Sequence, residues 1–262
     1  MLEWGPGLGA LTRHLLEQGL RVHAVDVDEC LLGLLRHRFA PFVEREMLRL
    51  HHGDARTFDV QSVIKSEEEL WSAAARRRFP LSDSPLKQSD AGAEARRRSP
   101  SGQLVLCGNL PYNIASRLLV RSVELARYVR AAVYLVQKEV AQRVCASGGK
   151  AYGLLSVLVQ VRFQTRLLRT VPAGAFWPVP KVDAAVVELI PRPEQEQPQL
   201  EWGEFKALAR TAFAQRRKKL GNALACLRGA GEAFRRADID PSLRAEQLTP
   251  TDFARLHHAL AK

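Results

Sequence analysis

The apolar positions in the first part of the chain change period several times. Between residues 10 and 18 leucines recur at helical spacing, which predicts a helix with one apolar face. The stretch RVHAVDVDE then alternates apolar and polar positions and stops on acids, as a parallel strand does. ECLLGLLRHRFA predicts a second helix, and LRLHHGDA predicts a third strand that ends at Asp54. Helix, strand and helix after a glycine turn indicate a βαβ unit, and hence parallel strands.

The later part of the chain continues this alternation. A strand followed by a helix is predicted in QLVLCGNLPYNIASRLL and again in AAVYLVQKEVAQRV. YGLLSVLVQVRFQTRLLRTV predicts a helix and then a strand. DAAVVELIPR is apolar along its length and predicts a strand at the edge of the sheet.

Two polar stretches interrupt the pattern. Residues 60–100 are small, polar and rich in charge, so they bury little apolar surface, and we predict a flexible insertion. We interpret the two Arg triplets of this insertion as parts of a solvated, flexible segment. Contact with RNA phosphates is the alternative. A proline-rich linker at 191–199 precedes a segment predicted to be helical to its end. We therefore predict an α/β, Rossmann-like domain over 1–192 and a small helical domain over 198–262.

The excess of Lys and Arg gives the chain a formal net charge of +11. Such an excess indicates a polyanionic partner, either a nucleic acid or an acidic membrane surface. No apolar run is long enough to cross a bilayer, and no secretory signal is visible. The four cysteines form no CxxC pair and have no metal-like spacing to histidine. We therefore expect a reduced, cytoplasmic protein without a metal site.

Three glycines, Gly5, Gly7 and Gly9, follow a short apolar stretch at the start of the chain. Glycine lets the backbone approach a ligand that any Cβ would block. The spacing G-x-G-x-G is one residue short of the dinucleotide fingerprint, so a turn that binds nothing is the alternative. Glu3, which precedes these glycines, is expected to order the loop through backbone amides or to contact the ligand through water.

Acidic residues follow the next two strands. Asp26 is expected to accept hydrogen bonds from both hydroxyls of a ribose, and Asp54, with Ala55 beside it, to accept one from an adenine amine. The alternatives are helix N-terminal acids for Asp26 and Asp28, which suits Asp28 better, and an N-cap or turn aspartate for Asp54. Because open α/β sheets bind ligands at the carboxyl ends of their strands, we predict a nucleotide-like ligand at these positions.

The turn formed by Asn109, Leu110, Pro111 and Tyr112 follows an apolar strand. The N6 amine of adenine is a poor nucleophile because its lone pair is delocalised into the ring. The Asn109 side-chain oxygen and the Leu110 carbonyl can hold the amine hydrogens and favour a pyramidal nitrogen, while Tyr112 stacks on the purine. These groups suit the methylation of an extruded adenine. A proline turn with a packed tyrosine is the alternative.

Five motifs in one order resemble the KsgA family of small-subunit rRNA adenine N6-dimethyltransferases. They are EWGPGLGALT, GNLPYNIAS, VQKEVAQR, FWPVPKVDAAVVEL and FAQRRKKLGNAL. The resemblance runs from Leu2 nearly to Lys262, apart from the insertion. It implies a mostly parallel, seven-stranded sheet with an antiparallel edge strand and a small helical domain that contacts rRNA.

The resemblance also implies an activity and its site. The cofactor would be S-adenosylmethionine, and the target two adjacent adenines near the 3′ end of small-subunit rRNA. Gly5, Asp26, Asp54 and Asn109 would bind the cofactor, and Asn109 through Tyr112 with Phe176 would form the adenine pocket. Phe176 and Trp177 are hydrophobic plugs in the alternative interpretation. Catalysis would be positioning and polarisation of the amine, with no metal and no covalent enzyme intermediate.

The chain departs from the family pattern at three places. It lacks the N-terminal segment that folds over the methionine end of the cofactor, and it carries Trp4 for a smaller residue and Asp26 for Glu. We therefore expect Met1 to be an internal methionine of a truncated or misannotated start. An rRNA-binding assembly factor that methylates nothing is one alternative function. A large-subunit rRNA adenine methyltransferase is another, although FAQRRKKLGNAL favours the small-subunit branch.

Four consecutive cations, Arg216, Arg217, Lys218 and Lys219, are predicted on one helix. They are expected to contact rRNA phosphates, and a solvated helix end is the alternative. The expected partner is small-subunit rRNA in a precursor ribosomal particle. We expect the chain to bind it as a monomer and to have no membrane partner.

Overall fold

The computed structural model describes residues 1–66 and 104–261. The strands are β1 (Leu2–Trp4), β2 (Val22–Asp26), β3 (Leu48–His52), β4 (Leu104–Asn109), β5 (Val129–Gln137), β6 (Phe163–Val171) and β7 (Ala184–Pro191). The helices are α1 (Ala10–Glu17), α2 (Glu29–Arg38), α3 (Ala40–Glu44), α4 (Ala115–Glu124), α5 (Lys138–Cys145), α6 (Leu154–Gln160), α7 (Trp202–Ala214), α8 (Leu220–Ala223), α9 (Ala230–Arg236) and α10 (Pro250–Leu260).

The seven strands form one mostly parallel sheet in the order β3-β2-β1-β4-β5-β7-β6. Strand β7 is antiparallel to both of its neighbours, β5 and β6. The predicted position of segment 183–192 at the edge of the sheet is wrong, because β6 occupies the edge. Strand β7 alternates between buried and partly buried positions, a pattern that does not separate an inner strand from an edge strand.

Contacts divide the chain into two compact units, Met1–Val105 with Tyr128–Arg130, and Leu106–Arg127 with Ala131–Lys262. In the first unit β1, β2 and β3 are parallel neighbours. Strand β2 is buried along Val22–Val25, on both faces, as expected for an inner parallel strand. Leu16 of α1 and Leu35 of α2 pack against it in one apolar cluster.

In the second unit, helix α6 and the C-terminal helices share one apolar core. Its largest side chains include Tyr152, Phe205 and Phe253, each almost completely buried. The Tyr152 hydroxyl donates a hydrogen bond of 2.8 Å to the carbonyl oxygen of Leu248. The predicted division at 192–198 differs from these contact-based units and remains a prediction.

The predicted insertion begins too early. Residues 60–66 are helical, and Val60 and Val63 are buried. Apolar residues recur there at helical spacing, and the polar composition of the longer window concealed them. The remainder of the predicted insertion, including both Arg triplets, lies outside the described residues.

Candidate functional site

The glycine turn between β1 and α1 has a left-handed backbone at three positions. The φ angles are 65° at Gly5, 54° at Gly7 and 79° at Gly9. Residues with a Cβ rarely adopt such backbone angles. The chain can form this turn because glycine occupies all three positions. The Gly5 amide donates to the Val25 carbonyl at 2.9 Å, which joins the turn to the end of β2.

Gly7 and Gly9 have different surroundings. A Cβ on Gly9 would lie 2.6 Å from the Phe39 ring and 2.7 Å from a Leu35 methyl group, so this glycine allows α2 to pack against the turn. A Cβ on Gly7 would meet no described atom within 4 Å. Packing therefore explains Gly9, whereas Gly7 leaves open backbone surface on which a ligand can lie.

Arg38 holds the same turn from α2. Its guanidinium donates a hydrogen bond of 2.8 Å to the Leu8 carbonyl oxygen. Sequence reasoning did not single out Arg38, because a cation in the last turn of a helix is common and nothing local indicates a partner 30 residues away.

Glu3 is the buried middle residue of β1, directly before Trp4 and the glycine turn. Its carboxylate accepts a hydrogen bond of 2.7 Å from the Thr12 hydroxyl and a further one from the Thr12 amide. Helix α1 has Gly9 as its N-cap and no side-chain cap of its own, so Glu3 supplies an acceptor at the helix N-terminus. Glu3 thus bonds a backbone amide in the first turn of α1, and its part in cofactor binding stays a prediction. Burial, only partly offset by the Thr12 hydrogen bonds, raises the pKa of Glu3 to about 7.

The burial of Glu3 predicts a pH dependence of stability. Its pKa of about 7 in the folded protein lies above the ordinary value of 4.5, so the folded state binds the proton more tightly than the unfolded chain. Its stabilising contribution is therefore present below pH 4.5 and is lost as the pH rises through about 7. From about pH 5 to about pH 8, the free energy of unfolding of the wild type, measured relative to Glu3→Gln, should fall by about 2–3 kcal/mol.

Denaturant titrations of both proteins at several pH values measure this difference. Other groups titrate alike in the two proteins and cancel. A difference that stays constant with pH would contradict the prediction.

Asp26 and Asp28 have separate roles at the end of β2. Asp28 is the N-cap of α2, and its side chain accepts from the amides of Cys30 and Leu31. The helix N-terminal interpretation is thus confirmed for Asp28. One carboxylate oxygen of Asp26 accepts from the Asp28 amide at 3.0 Å, which orients this partly exposed side chain.

Asp54 lies in a turn two residues beyond the end of β3, and not in the strand as predicted. The Arg56 guanidinium binds both of its carboxylate oxygens, with Nε at 2.9 and 2.8 Å. The Arg56 side chain lowers the pKa of Asp54 by hydrogen bonding. This is the turn aspartate of the alternative interpretation, and a ligand amine at Asp54 would share the carboxylate with Arg56. Ala55 is partly buried in the same turn.

The register of the sheet brings three of these segments together. Trp4, at the end of β1, pairs with Val25, and Asp26 pairs with His52 at the end of β3. The Gly53 amide also donates to the Asp26 carbonyl at 2.9 Å. The glycine turn, Asp26 and the Asp54 turn therefore lie at the carboxyl ends of adjacent parallel strands, where such sheets bind nucleotides.

The turn after β4 belongs to the second unit. The Leu110 amide donates to the Leu135 carbonyl at 3.0 Å, which fixes the turn to β5. Within the described part of the chain, no group donates a hydrogen bond to the Asn109 side chain or to the Leu110 carbonyl. Asn109 is exposed and Tyr112 is 38% exposed, so the packed-tyrosine alternative describes only part of this ring. The turn thus presents the Asn109 amide and one aromatic ring, while Leu110 is itself buried and its carbonyl oxygen accepts from no described group.

Phe176 and Trp177 lie in the loop between β6 and β7 and differ in exposure. Phe176 is partly buried, whereas Trp177 is 94% exposed. The interpretation of Trp177 as a hydrophobic plug is therefore wrong for the structure described.

The four consecutive cations do not lie on a helix. Helix α7 ends at Ala214, and Arg216 to Lys219 form the turn before α8. No Gly or Pro marks this break, and Arg and Lys favour helices, so local sequence predicted the wrong backbone. Arg217, Lys218 and Lys219 are exposed in the turn.

Arg216 is bound to the protein itself. Its guanidinium pairs with Glu246 at 2.7 Å and donates to the carbonyl oxygens of Gly149, Lys150 and Tyr152 at 3.2, 2.9 and 2.9 Å. These bonds join the turn after α7 to the segment before α6. Arg216 thus has a structural role in addition to any contact with a phosphate.

A basic groove with a volume of about 970 Å³ lies within the second unit. It is lined by parts of α4 to α7 and by the segment 150–153. Its charged lining residues are Arg117, Glu139, Arg143, Lys150, Lys206, Arg210 and Arg216. Six cations and one acid make this surface strongly positive.

Three of the groove cations are exposed and have no ion pair with any described residue: Arg117, Lys150 and Arg210. The others are partnered, for example Lys206 with Glu124 at 3.2 Å. Sequence reasoning missed this set because its members are distant in the chain and converge only through helix packing. Helical periodicity places Arg117 and Arg210 on exposed helix faces, Lys150 lies in the turn before α6, and no local pattern joins the three.

Within residues 1–66 and 104–261, no cluster of three His, Cys, Asp or Glu side chains could hold a metal ion. No helix in this part of the chain is long and apolar enough to span a membrane.

Comparisons with known proteins point to one family. The model of the ribosomal RNA adenine dimethylase family matches residues 1–262. Ribosomal RNA small subunit methyltransferase A from Thiobacillus denitrificans is 38% identical over 100% of this chain and 86% of its own length. The protein of the same name from Pseudomonas aeruginosa is 35% identical over 100% and 84%.

A solved structure supports the fold. The dimethyladenosine transferase from Plasmodium falciparum superposes with a TM-score of 0.68, at 23% identity, over 97% of this chain and 87% of that one. The resemblance inferred from five motifs is confirmed by these matches. The chain belongs to the ribosomal RNA adenine dimethylase family and is an S-adenosylmethionine-dependent rRNA adenine dimethyltransferase.

Proposed function

We propose that this chain transfers two methyl groups to the N6 amine of each of two adjacent adenines near the 3′ end of small-subunit rRNA. The modification would serve the biogenesis of the small subunit. The observation that carries this proposal is the turn after β4, in which Asn109 and Leu110 offer acceptors that the described residues leave unused. The names of the relatives from Thiobacillus and Pseudomonas support the choice of the small subunit.

The first unit offers groups that fit the cofactor. Open backbone at Gly7 and the left-handed turn around it suit close approach of a ligand, since a side chain there would fill the space. Asp26, oriented by the Asp28 amide, would hold the ribose hydroxyls. When bound, S-adenosylmethionine supplies a methyl group on an electrophilic sulfonium. Asp54 and Ala55 would lie near the adenine of the cofactor. Glu3 stabilises the glycine turn through its hydrogen bonds to Thr12.

The second unit offers groups that fit the target base. In the first transfer the Asn109 side-chain oxygen and the Leu110 carbonyl would each accept one hydrogen of the N6 amine, which favours a pyramidal nitrogen whose lone pair is no longer conjugated with the ring. Pro111 restricts the backbone between Leu110 and Tyr112. The partly exposed ring of Tyr112 would stack on the purine. Phe176 would pack against the base from another segment. Positioning and polarisation of this kind lower the barrier without a covalent intermediate.

The rRNA backbone would be held by cations of the second unit. The basic groove presents Arg117, Lys150 and Arg210, which have no ion pair with any described residue. Arg216 also lines this groove, and the three cations that follow it, Arg217 to Lys219, are exposed. Lys and Arg bind phosphates and release counterions from RNA. We therefore propose that this surface binds the RNA whose adenines are modified.

Methylation of purified ribosomal particles tests the proposal. Small-subunit particles that lack dimethyladenosine are incubated with the protein and labelled S-adenosylmethionine, and the rRNA is mapped by mass spectrometry and primer extension. We expect two methyl groups on each of two adjacent adenines near the 3′ end. Large-subunit particles are the control. Label in large-subunit rRNA alone would identify the other type of rRNA methyltransferase, and cofactor binding without methylation of either would indicate an assembly factor.

A further inference from the structure

The loop between β6 and β7 displays apolar side chains that pack against little of the protein. Trp177 is 94% exposed, Val179 is 59% exposed and Val182 is 45% exposed. Tryptophan has a large apolar side chain that is usually buried. Its exposure near two further exposed apolar residues indicates a surface that contacts a partner. The activity proposed above uses Phe176 but assigns no role to Trp177.

The base of this loop is fixed by Asp183. Its carboxylate accepts from the Ala173 amide at 3.2 Å and pairs with Lys138 at 3.4 Å, and its carbonyl oxygen accepts from the Lys138 amide at 3.0 Å. Prolines at 172, 178 and 180 restrict φ within the loop. Trp177 is therefore presented by a constrained segment, which reduces the entropy lost when it binds a partner.

The charge around Trp177 favours a nucleic acid base as that partner. Residues 172–182 contain one cation, the exposed Lys181, and no acid. Asp183 is already paired with Lys138. An exposed aromatic ring four residues from an exposed cation in the same loop, in a chain with a net charge of +11, suits stacking on a base with its phosphate nearby. Unpaired RNA bases are commonly bound in this way.

Trp177 and Phe176 point to different surroundings. The backbone at Phe176 is extended, with φ −117° and ψ 152°, and successive side chains of an extended backbone lie on opposite sides. This explains why Phe176 is partly buried while Trp177 is almost fully exposed. The two rings are therefore suited to different bases.

We propose that Trp177 stacks on an unpaired rRNA base other than the adenine that is methylated, with Lys181 beside the adjoining phosphate. This inference rests on the proposed function, because it takes rRNA as the substrate. It assigns Trp177 to substrate binding and not to the reacting atoms.

The test compares Trp177→Ala, Trp177→Phe and Leu168→Ala in the full chain. Leu168 is an apolar residue in β6 with 43% exposure, and it serves as the matched control. Binding of small-subunit particles that lack dimethyladenosine should be about 5- to 150-fold weaker for Trp177→Ala, since the loss of one stacked base lowers affinity by that much. Trp177→Phe should retain most of the affinity, and Leu168→Ala should equal the wild type. Affinity for S-adenosylmethionine alone, measured by calorimetry, should be the same in all four proteins and shows that each is folded.

Tryptophan fluorescence gives a second readout. Addition of the particles' rRNA should quench a component of the emission that is present in the wild type and absent in Trp177→Phe. Equal RNA affinity of Trp177→Ala and the wild type would overturn the inference, as would a change confined to self-association in sedimentation experiments.

Methylation by the wild type is measured in parallel. Normal methylation with no effect of Trp177→Ala overturns this inference alone. Stacking without methylation overturns the proposed function alone, and absence of RNA binding overturns both.

Discussion

Replacing Asn109 with alanine is expected to lower the rate of rRNA methylation by about 10²–10³-fold, the usual consequence of removing one preorganised polar group from a reacting centre. In the proposed reaction the Asn109 oxygen accepts a hydrogen of the N6 amine, and this contact strengthens as the nitrogen becomes pyramidal and positive. Alanine leaves the Leu110 carbonyl in place, so partial activity remains. The loss should appear in kcat more than in KM, because the contact is stronger in the transition state than in the bound substrate.

Asn113→Ala is the matched control for this variant. Asn113 directly follows Tyr112, it is exposed, and the proposed function gives it no role. Its replacement should leave the rate within about twofold, as for surface substitutions generally. Single-turnover methylation of small-subunit particles measures the chemical step, and calorimetry measures cofactor affinity separately. A rate of Asn109→Ala within a few fold of the wild type would exclude the assigned role. A loss confined to cofactor affinity would assign Asn109 to the cofactor instead.

Removing three charges from the basic groove should weaken RNA binding by about 100-fold at about 0.1 M salt. The variant combines Arg117→Gln, Lys150→Gln and Arg210→Gln. Each phosphate contact contributes about 0.7–0.9 to the slope of log affinity against log salt concentration, so the slope should decrease by about 2–3. These residues have no ion pair with any described residue, so the free energy of unfolding should change little.

A control variant that loses three charges outside the groove distinguishes the effect of local phosphate contacts on RNA affinity from the effect of net charge. Arg45, Arg169 and Arg228 are exposed, do not line the groove and carry no ion pair to any described residue. Their replacement by Gln should change the salt slope by much less than the groove variant. Filter-binding titrations at several salt concentrations measure both slopes. Equal effects of the two triple variants would show that RNA responds to the total charge and not to this groove.

Some features were predictable because their causes are local. Glycine at 5, 7 and 9 specifies the left-handed turn, and the alternating pattern around Val22–Asp26 specifies a strand whose end carries an acid. The seven-stranded, mostly parallel fold and the family were also predicted correctly, since five motifs in fixed order carry far more information than any one of them.

Other features were decided by contacts between distant residues. The edge position of β6 depends on which strands pair, and apolar content alone does not decide this. The turn at 216–219 forms although its residues favour a helix, because Arg216 gains hydrogen bonds to carbonyl groups more than 60 residues away. The basic groove likewise joins cations from several helices.

The sequence by itself determined the glycine turn, the alternation of strands and helices in the sheet region, the residue types at the strand ends and the family. Only the tertiary structure decided that Glu3 is buried against Thr12, that Arg216 is bound within the protein, and that Trp177 is exposed. The physical reason is that backbone angles and periodicity are set by neighbouring residues, whereas burial, pKa and hydrogen-bond partners depend on segments that meet only when the chain has folded.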